Sequence, residues 1–347
     1  SGPERRVLVQ FTQNPNIILK PADKGSKIVI MDRQQYLLEQ TDNFQTLHII
    51  NPFSKTYKHK LNHFSTPPTI PPTAKIHKEP PSWTIPYEVP PGRPIVSDCN
   101  STSYHISEYI EHFLGPLSNK HPSYIKDTYH FIDTIRPMVV PKQSYLFTID
   151  IDSLYTNINT TIGIKAITSI FNNYPDTNRP DKQIIQLLNI CLNNKDFAFN
   201  NKHYLQIHGT AMGQRYAPSS ANIYMSEWER EALAKCTLKH LLYLRFLDDI
   251  FGIWQHDNSF FLTSINSAST KLLTKVFFKT TDTHAILHEK SYHPKHTFKG
   301  IIKSQIIRFY RLSSTSIDLH ISISLLFSAL RHRGYSKRFL CHIKNST

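Results

Sequence analysis

The stretch LLYLRFLDDIFGIW, residues 241–254, places two adjacent acids, Asp248 and Asp249, between two apolar runs. Strand-like residues on both sides predict a β-hairpin whose turn carries the carboxylates. Acids among so many apolar neighbours are costly unless they are neutralised. Arg245 is one candidate partner and a bound divalent cation is the other. An ordinary polar turn is the plainest interpretation, because Asp favours turns.

A further acid ends an apolar run upstream. The run YLFTIDI, residues 145–151, predicts a buried strand that ends at Asp150. Together with the hairpin turn, this strand end would offer a cation carboxylates on adjacent strands, and magnesium prefers carboxylate oxygens. Two such ions can activate a hydroxyl and stabilise a leaving pyrophosphate. Asp152 is a rival for Asp150, because positions two apart on a strand share a face.

The charge balance favours an anionic partner. Lys and Arg number 40 against 26 Asp and Glu, for a formal net charge of +14. Nucleic acid is the commonest partner of such a chain, although a merely basic protein is the alternative. The cysteines, at 99, 191, 236 and 341, are too far apart for a zinc-type spacing and favour a reducing compartment. No apolar run approaches the roughly 20 residues of a membrane span.

The order of predicted elements mixes helices and strands. Apolar spacing predicts helices over residues 104–137, 160–174, 181–193, 218–236 and 316–344. A strand over 27–31 and a hairpin over 197–207, turning at Asn200-Asn201, are also predicted. Residues 66–94 hold many of the 22 prolines, so they form either a linker or an extended loop packed on a surface. Strand, helix and hairpin in the middle third indicate an α+β fold.

A glycine-bearing loop, GTAMGQRYAP over residues 209–218, opens a predicted helix. Its small residues allow a planar ligand to approach closely, and Pro218 suits a first helical turn. An ordinary loop with a helix cap is the alternative interpretation.

In this order, these motifs resemble those of a reverse transcriptase, and more specifically of Penelope-like retroelements. The resemblance covers nearly the whole chain, and the combined pattern is specific although no single motif is. The strings that carry it are KPADKG (20–25), KIHK (75–78), GRPIVS (92–97), HPSYIKD (121–127), DIDSLYTN (150–157), GTAMG (209–213), FLDD (246–249), TDTH (281–284), HPKH (293–296) and RGY (333–335).

The resemblance implies a polymerase right hand, with fingers over 1–143, a palm with an antiparallel sheet over 144–270 and a helical thumb over 271–347. It implies an RNA-directed DNA polymerase that extends a DNA primer on an RNA template with deoxynucleoside triphosphates, in the nucleus or cytoplasm. Magnesium, or manganese, would be held by Asp150, Asp248 and Asp249. In the family an aromatic follows the first of these acids by five residues, which matches Tyr155 and makes Asp152 the second choice.

The same resemblance assigns roles in nucleotide binding. Tyr155 would be the steric gate beside the sugar 2′ position, with a core aromatic as the alternative. The residues implied to bind the deoxynucleotide are Lys24, Arg93, Tyr155, Gly209, Gly213 and Gln214. Lys24 and Arg93 would bind the triphosphate, because their charge and geometry match phosphate. Either could instead be a solvated surface charge.

Residues 295–311 mix basic and aromatic side chains in the region that resembles a thumb. Such a mixture suits the backbone of a template–primer duplex, and a solvated basic helix face is the alternative. The basic members are Lys295, Lys299, Lys303, Arg308 and Arg311, and the aromatic members are Phe298, Phe309 and Tyr310.

The chain also departs from the family. The Tyr-X-Asp-Asp box reads FLDD, and the region before KIHK is Pro-rich. Family members often also carry a C-terminal nuclease domain, and this sequence ends just past the thumb-like region. Only about twenty residues separate Trp254 from Val276, where family members carry a palm segment that grips the primer. We therefore expect a shortened copy with weak or absent polymerase activity. A catalytically defective remnant that binds nucleic acid is the alternative. A telomere-end or RNA-copying polymerase is a third, weaker alternative. The expected steric gate at Tyr155 argues against the use of ribonucleotides.

Overall fold

The computed structural model describes residues 13–21, 28–46, 49–50, 73–74, 80–83, 92–93, 101, 103–141, 144–199, 202–255, 270–271, 274–276 and 287–347. Their contacts divide the chain into two compact units. Unit 1 takes in Ser1–Tyr124, Ile149–Lys239 and Leu247–Ile250, and unit 2 takes in Ile125–Thr148, His240–Phe246 and Phe251–Thr347. The predicted boundaries between fingers, palm and thumb, at 143/144 and 270/271, stay predictions.

The chain contains runs of helices and antiparallel strand pairs, as expected for an α+β fold. The strands are β1 (Ile17–Pro21), β2 (Ile28–Asp32), β3 (Ile49–Ile50), β4 (Thr73–Ala74), β5 (Gly92–Arg93), β6 (Val139–Val140), β7 (Tyr145–Asp150), β8 (Asp196–Phe199), β9 (Lys202–Gln206), β10 (Leu242–Phe246), β11 (Asp249–Trp254) and β12 (Thr270–Lys271). The helices are α1 (Arg33–Thr46), α2 (Tyr104–Ser118), α3 (Thr128–Ile135), α4 (Leu154–Asn157), α5 (Thr160–Asn173), α6 (Asp181–Asn193), α7 (Ala217–Lys235), α8 (Lys295–Leu312), α9 (Ser316–His332) and α10 (Lys337–Asn345).

The strands form small sheets rather than one large sheet. The strand order is β10-β11-β7 in one sheet and β3-β9-β8 in another, and β1 pairs with β2. The predicted hairpin is confirmed as β8 and β9, whose antiparallel register sets Phe197 opposite Tyr204 with stacked rings 5.5 Å apart. In the first sheet β11 lies between β10 and β7, so the predicted acid-bearing strands are neighbours.

The core of unit 1 is built by α2, α5, α6 and α7. Apolar residues three and four apart turn one face of each helix inward, and Ile110, Ile167 and Leu188 are completely buried. The predicted helices over 160–174, 181–193 and 218–236 are confirmed within a residue of their expected ends. Apolar residues three and four apart were sufficient to predict these helices.

The single helix predicted over 104–137 is wrong. The structure has two helices, α2 and α3, with a non-helical segment between them. The Asp127 side chain accepts a hydrogen bond from the His130 amide at 2.8 Å and caps the start of α3. This capping contact satisfies a free amide at a new helix start, which explains why the helical pattern restarts there.

Helices α8, α9 and α10 form the main core of unit 2 around Ile302, Leu330 and Leu340, which are fully buried. The helix predicted over 316–344 divides at Gly334, whose φ is +91°. The Gly334 amide donates to the Arg331 carbonyl at 3.1 Å and the Tyr335 amide donates to the Leu330 carbonyl at 3.2 Å. This is a Schellman motif, which needs a left-handed residue such as glycine. The RGY string therefore ends α9.

Two observations bear on the expected environment of the protein. Among the described helices, none combines the length and the apolar character that a membrane crossing requires. Cys191, Cys236 and Cys341 are free thiols. The reducing compartment expected from the cysteine spacing stays a prediction.

Candidate active site

The two acid-bearing strand ends meet in unit 1. The Ile151 amide donates a hydrogen bond to the Asp248 carbonyl oxygen at 2.9 Å, so the residue after Asp150 lies directly beside the Asp248–Asp249 turn. Asp150 and Asp249 are exposed, whereas Asp248 is half-buried. This contact brings the two chain segments together at the backbone, and the expected convergence of the Asp150 and Asp248 carboxylates stays a prediction.

Backbone strain is concentrated at this place. Among the described residues, Ser153 and Leu247 are the non-glycine residues with positive φ, each at +53°. A left-handed conformation costs a branched side chain such as Leu247 on the order of 1–2 kcal/mol. Ser153 follows β7 closely, and Leu247 immediately precedes Asp248. Strained residues cluster at functional sites, which supports this turn as the candidate site. The sequence carries no signal for either conformation.

The donor chemistry at the site suits a hard divalent cation. Neither Asp150 nor Asp248 has an ion-pair partner within the described part of the chain, so their charge is available to a cation that prefers carboxylate oxygens. In the ranges that the structure describes, no three His, Cys, Asp or Glu side chains already form a metal-holding group. Metal binding by Asp150, Asp248 and Asp249 stays a prediction.

Tyr155 belongs to the element that follows Asp150 in the chain. It belongs to α4, the short helix that follows β7, and packs on the side of Leu154 and Met225. Burial raises the pKa of the Tyr155 hydroxyl, and the negative charge of Asp248 raises it further. Its expected position beside the acids and its role as sugar gate stay predictions.

The glycine-bearing loop packs against the backbone of the Tyr155 helix. A Cβ at Gly209 would lie 2.4 Å from the Tyr155 carbonyl oxygen and 2.5 Å from the Thr156 Cα, and the φ of Gly209 is +67°. Only glycine fits this approach without displacing the backbone. The Thr210 amide donates to the Tyr155 carbonyl oxygen at 2.7 Å. The start of the glycine-bearing loop, at Gly209 and Thr210, and α4 are therefore packed together, and we call the surface that they form the wall.

The remaining loop residues have partners of their own. Gln214 is buried and its amide oxygen accepts a hydrogen bond from the Tyr216 hydroxyl. Arg215 forms a 3.0 Å ion pair with Glu108 and lies over the Tyr104 ring at 4.8 Å from its centroid. Gly213 immediately precedes Gln214. Nucleotide contacts by Gly209, Gly213 and Gln214 stay predictions.

The two predicted triphosphate ligands fall in the N-terminal region. Lys24 lies outside the described residues. Arg93 belongs to β5, which pairs antiparallel with β4 in the register Thr73↔Arg93. Most of the Pro-rich stretch and the segment between Gln255 and Thr270 also lie outside the described residues, so the expected lack of a primer grip stays a prediction.

The basic residues predicted to bind a nucleic-acid duplex all lie on α8 and are all exposed, namely Lys295, Lys299, Lys303, Arg308 and Arg311. The aromatic part of that prediction is wrong for two residues. Phe298 and Phe309 are buried in the core of unit 2, whereas Tyr310 is 50% exposed. A helix that packs on one side must turn one stripe inward, and both Phe residues fall on that stripe.

Local contacts hold part of this basic surface in place. The Lys303 ammonium donates to the Ser346 carbonyl oxygen at 3.2 Å, and the Arg311 guanidinium lies 4.2 Å from the Tyr129 ring centroid. Sequence reasoning did not single out the exposed Lys337 and Arg338 of α10, the helix that packs on α8. The adjacent basic pair at the start of α10 was an available signal.

Sequence reasoning also missed Lys195, a buried lysine between α6 and β8. Its ammonium donates to the carbonyl oxygens of His208 and Gly209, at the start of the glycine-bearing loop. Burial lowers the pKa of Lys195 to about 8. A lone lysine before a hairpin carries no signal of such contacts.

One protein-family model matches the C-terminal helices. The family described as an animal helix-turn-helix domain matches residues 285–345, less than half of the chain. The match includes α8, α9 and α10, and the Gly334 turn joins the last two. No curated protein sequence matches the chain.

Solved structures of telomerase resemble most of the chain. Telomerase from Candida albicans, in complex with the TWJ fragment of telomeric RNA, has a TM-score of 0.63 at 10% identity and covers 95% of this chain and 65% of its own. The Candida tropicalis complex with that kind of fragment has a TM-score of 0.51 at 14% identity, with coverages of 90% and 60%. Apo telomerase from Candida tropicalis has a TM-score of 0.50 at 13% identity, and the match covers 69% of this chain and 47% of the telomerase chain. The chain thus spans about half to two thirds of the telomerase chains it matches. Identities this low show the fold alone, and that fold is polymerase-like, similar to the fold of telomerase, a reverse transcriptase.

Proposed function

We propose that this chain is the polymerase core of a reverse transcriptase of the Penelope-like retroelement kind. The observation that carries the proposal is the 2.9 Å hydrogen bond between the Ile151 amide and the Asp248 carbonyl, because it joins the strand end of Asp150 to the Asp248–Asp249 turn. The telomerase-like fold supports nucleotidyl transfer. The enzyme extends a DNA primer on an RNA template with deoxynucleoside triphosphates, in the nucleus or cytoplasm.

The acids would hold the metal ions of the reaction. Asp150, Asp248 and Asp249 offer carboxylate oxygens for two magnesium ions, or for manganese. When bound, the ions supply activation of the primer 3′ hydroxyl and charge stabilisation of the leaving pyrophosphate. The positive φ of Leu247 aims the turn that carries Asp248, and the Ile151 hydrogen bond fixes it against β7.

The nucleotide would occupy the wall formed by α4 and the glycine-bearing loop. In this proposal Tyr155 lies beside the acids, where its ring would exclude a sugar 2′ hydroxyl. Burial raises the pKa of its hydroxyl, and the charge of Asp248 raises it further. The close approach of Gly209 to the Tyr155 backbone keeps the wall thin and flat under a base. In this proposal Gly213 and Gln214 extend the wall, and Lys24 and Arg93 bind the triphosphate.

Unit 2 would bind the template–primer duplex. The basic residues of α8 are exposed, and Lys and Arg on one helix neutralise phosphates and release counterions. Tyr310 adds an exposed ring for contact with sugar or base. A nucleic-acid-binding protein without polymerase activity is the second candidate. The helix-turn-helix match over residues 285–345 favours it, because such a domain binds nucleic acid without metal chemistry.

Primer extension on a homopolymer RNA template, with magnesium or manganese, tests the proposal. Asp150→Asn and Asp248→Asn remove charge without changing size, so we expect each to lower the extension rate by roughly a hundredfold or more, the scale of losing one preorganised charge stabiliser. Asp152→Asn is the matched control, because Asp152 is exposed and close by but is not assigned to the metal site.

The outcomes separate the two candidates. Extension that is lost in the Asp150 and Asp248 variants and kept in the Asp152 variant supports the polymerase. RNA–DNA duplex binding without any extension by the unaltered chain supports the non-catalytic candidate. Extension that survives Asp248→Asn would falsify the assignment of the site.

A further inference from the structure

Lys195 is an unusual residue for its position in unit 1. It lies between α6 and β8, and its side chain is 3% exposed. Burying an ammonium group without hydrogen-bond partners is strongly unfavourable, so a buried lysine needs acceptors around it. Here the acceptors are backbone carbonyl oxygens, and no carboxylate of the described residues forms an ion pair with Lys195.

The acceptors of Lys195 belong to the loop that leads into the candidate nucleotide site. Its ammonium donates to the Gly209 carbonyl and, at 3.4 Å, to the His208 carbonyl. The Gln206 side-chain amide donates to the same His208 carbonyl at 2.8 Å, and the Gln206 backbone amide donates to the Lys195 carbonyl at 3.0 Å. Lys195 is thus bound to the loop through both its side chain and its backbone.

The next residue of the loop is bound to the Tyr155 helix. The Thr210 amide donates to the Tyr155 carbonyl at 2.7 Å, and Gly209 lies too close to Tyr155 for any side chain. The Gly209 peptide is therefore clamped, with Lys195 on one side and the backbone of α4 on the other. A shift of this peptide would move the proposed gate relative to the bound sugar.

We propose that Lys195 is a positioning residue that holds the His208–Thr210 segment against Tyr155 and thereby sets how strictly the site rejects ribonucleotides. This inference rests on the proposed polymerase function and extends it to a residue that contacts neither metal nor substrate. A cationic donor suits the task, because one ammonium group can donate to two carbonyls and charged donors form stronger hydrogen bonds than neutral ones.

The test uses the full chain and three variants. Lys195→Met removes the donor and keeps most of the side-chain volume, and Lys195→Arg keeps a cationic donor. Lys182→Met is the matched control, because Lys182 is an exposed lysine of α6. If Lys195→Met does not fold, Lys195→Gln, which keeps a neutral donor on a shorter side chain, takes its place.

The first readout is hydrogen exchange of the peptide that contains the Thr210 amide, which needs no polymerase activity. We expect faster exchange in Lys195→Met, and exchange like that of the unaltered chain in Lys195→Arg and Lys182→Met. Unchanged exchange in Lys195→Met, or in Lys195→Gln where it replaces that variant, overturns the proposal.

The second readout is the ratio of deoxynucleotide to ribonucleotide incorporation, which general loss of stability would not change. Because misplacement by about 1 Å can cost a hundredfold in rate, we expect the preference for deoxynucleotides to fall at least roughly tenfold in Lys195→Met, with KM for the nucleotide raised more than kcat is lowered. Lys195→Arg should restore the preference. An unchanged ratio in an active Lys195→Met enzyme overturns the proposal. If the unaltered chain extends no primer, the polymerase function fails, and hydrogen exchange alone then decides whether Lys195 clamps the loop.

Discussion

The Thr210 amide donates a 2.7 Å hydrogen bond to the Tyr155 carbonyl oxygen. This contact joins two segments that are more than fifty residues apart in the sequence, the helix after Asp150 and the glycine-bearing loop. Because Asp248 also acts on the Tyr155 hydroxyl, one residue links the acids to the loop. The candidate site is therefore a connected structure rather than a collection of separate motifs.

Replacement of Tyr155 should relax sugar selection. In Tyr155→Ala the ring beside Asp248 is lost, so we expect the preference for deoxynucleotides over ribonucleotides to fall roughly tenfold or more, the scale of filling or emptying a small pocket. Competing incorporation of the two nucleotide types in primer extension measures the ratio. Tyr155→Phe is the control: it keeps the ring and removes only the hydroxyl, so the preference should be retained. A preference that is equal in Tyr155→Ala and the unaltered chain contradicts the gate.

Gly252 of β11 should be sensitive to any side chain. A Cβ at this position would lie 2.1 Å from Cζ of Phe147, on the neighbouring strand β7. Gly252→Ala forces the Phe147 ring to move, and we expect the free energy of unfolding to fall by about 1–3 kcal/mol, as overpacking does elsewhere. Denaturant unfolding measures the change.

Two comparisons make this result specific. In a chain that already carries Phe147→Leu, Gly252→Ala should lower the free energy of unfolding by less, and a double-mutant cycle measures this difference. Gly300→Ala is the opposite control, because nothing lies within 4 Å of a Cβ there, and in the helix α8 alanine should stabilise by about 0.5–1 kcal/mol. A Gly252→Ala chain as stable as the unaltered one would show that the ring does not occupy that place.

The sequence predicts much of the fold because apolar spacing is a local signal. Helices α5 and α6 follow from it almost residue for residue, and the Asp150 strand and the Asp248 turn are readable as apolar runs that end in acid. The break after α2 was missed although Pro122 lies in it and disfavours a continuous helix. The Asp127 cap that starts α3 is a weaker signal, because a lone Asp is common in helices and loops alike.

The contacts that support the site could not be predicted from the sequence for a different reason. Lys195 and Gly209 are fourteen residues apart, and their contact depends on how the β8–β9 hairpin folds back. Leu247 lies in the two-residue turn between β10 and β11, where its positive φ runs against the preference of the side chain. The burial of Phe298 was accessible in principle from helical spacing, but the basic neighbours suggested a nucleic-acid surface for the whole segment.

Binding of nucleic acid should weaken steeply with salt. The chain has a net charge of +14, and Lys299 and Lys303 are exposed one turn apart on α8. Each phosphate that a lysine neutralises releases counterion, so Lys299→Gln and Lys303→Gln should each make the slope of log K against log salt shallower by about 1. Titration of an RNA–DNA duplex at several salt concentrations measures the slope. Lys182→Gln, on α6, should leave it unchanged, and a slope near zero for the unaltered chain would refute binding through phosphates.

Lys195 should make stability depend on pH in the alkaline range. Burial lowers its pKa from the ordinary 10.5 to about 8. Between these values the unfolded chain still binds the proton whereas the folded chain has released it. The free energy of unfolding therefore rises with pH through this window. Below about pH 8 both states are protonated, and the folded state bears the full cost of the buried charge.

The comparison that isolates this effect is the difference in unfolding free energy between the unaltered chain and Lys195→Met, because other titrating groups cancel. Each pH unit of the window contributes about 1.4 kcal/mol, so the unaltered chain should gain up to about 3 kcal/mol relative to Lys195→Met between pH 8 and 10.5. Urea unfolding at pH 7, 8, 9 and 10 measures the difference. Lys182→Met should give a difference that does not change with pH. If the difference in unfolding free energy between the unaltered chain and Lys195→Met also stays constant from pH 8 to 10, the ammonium is solvated rather than buried beneath the loop. The proposed contact that holds Gly209 would then have no physical basis.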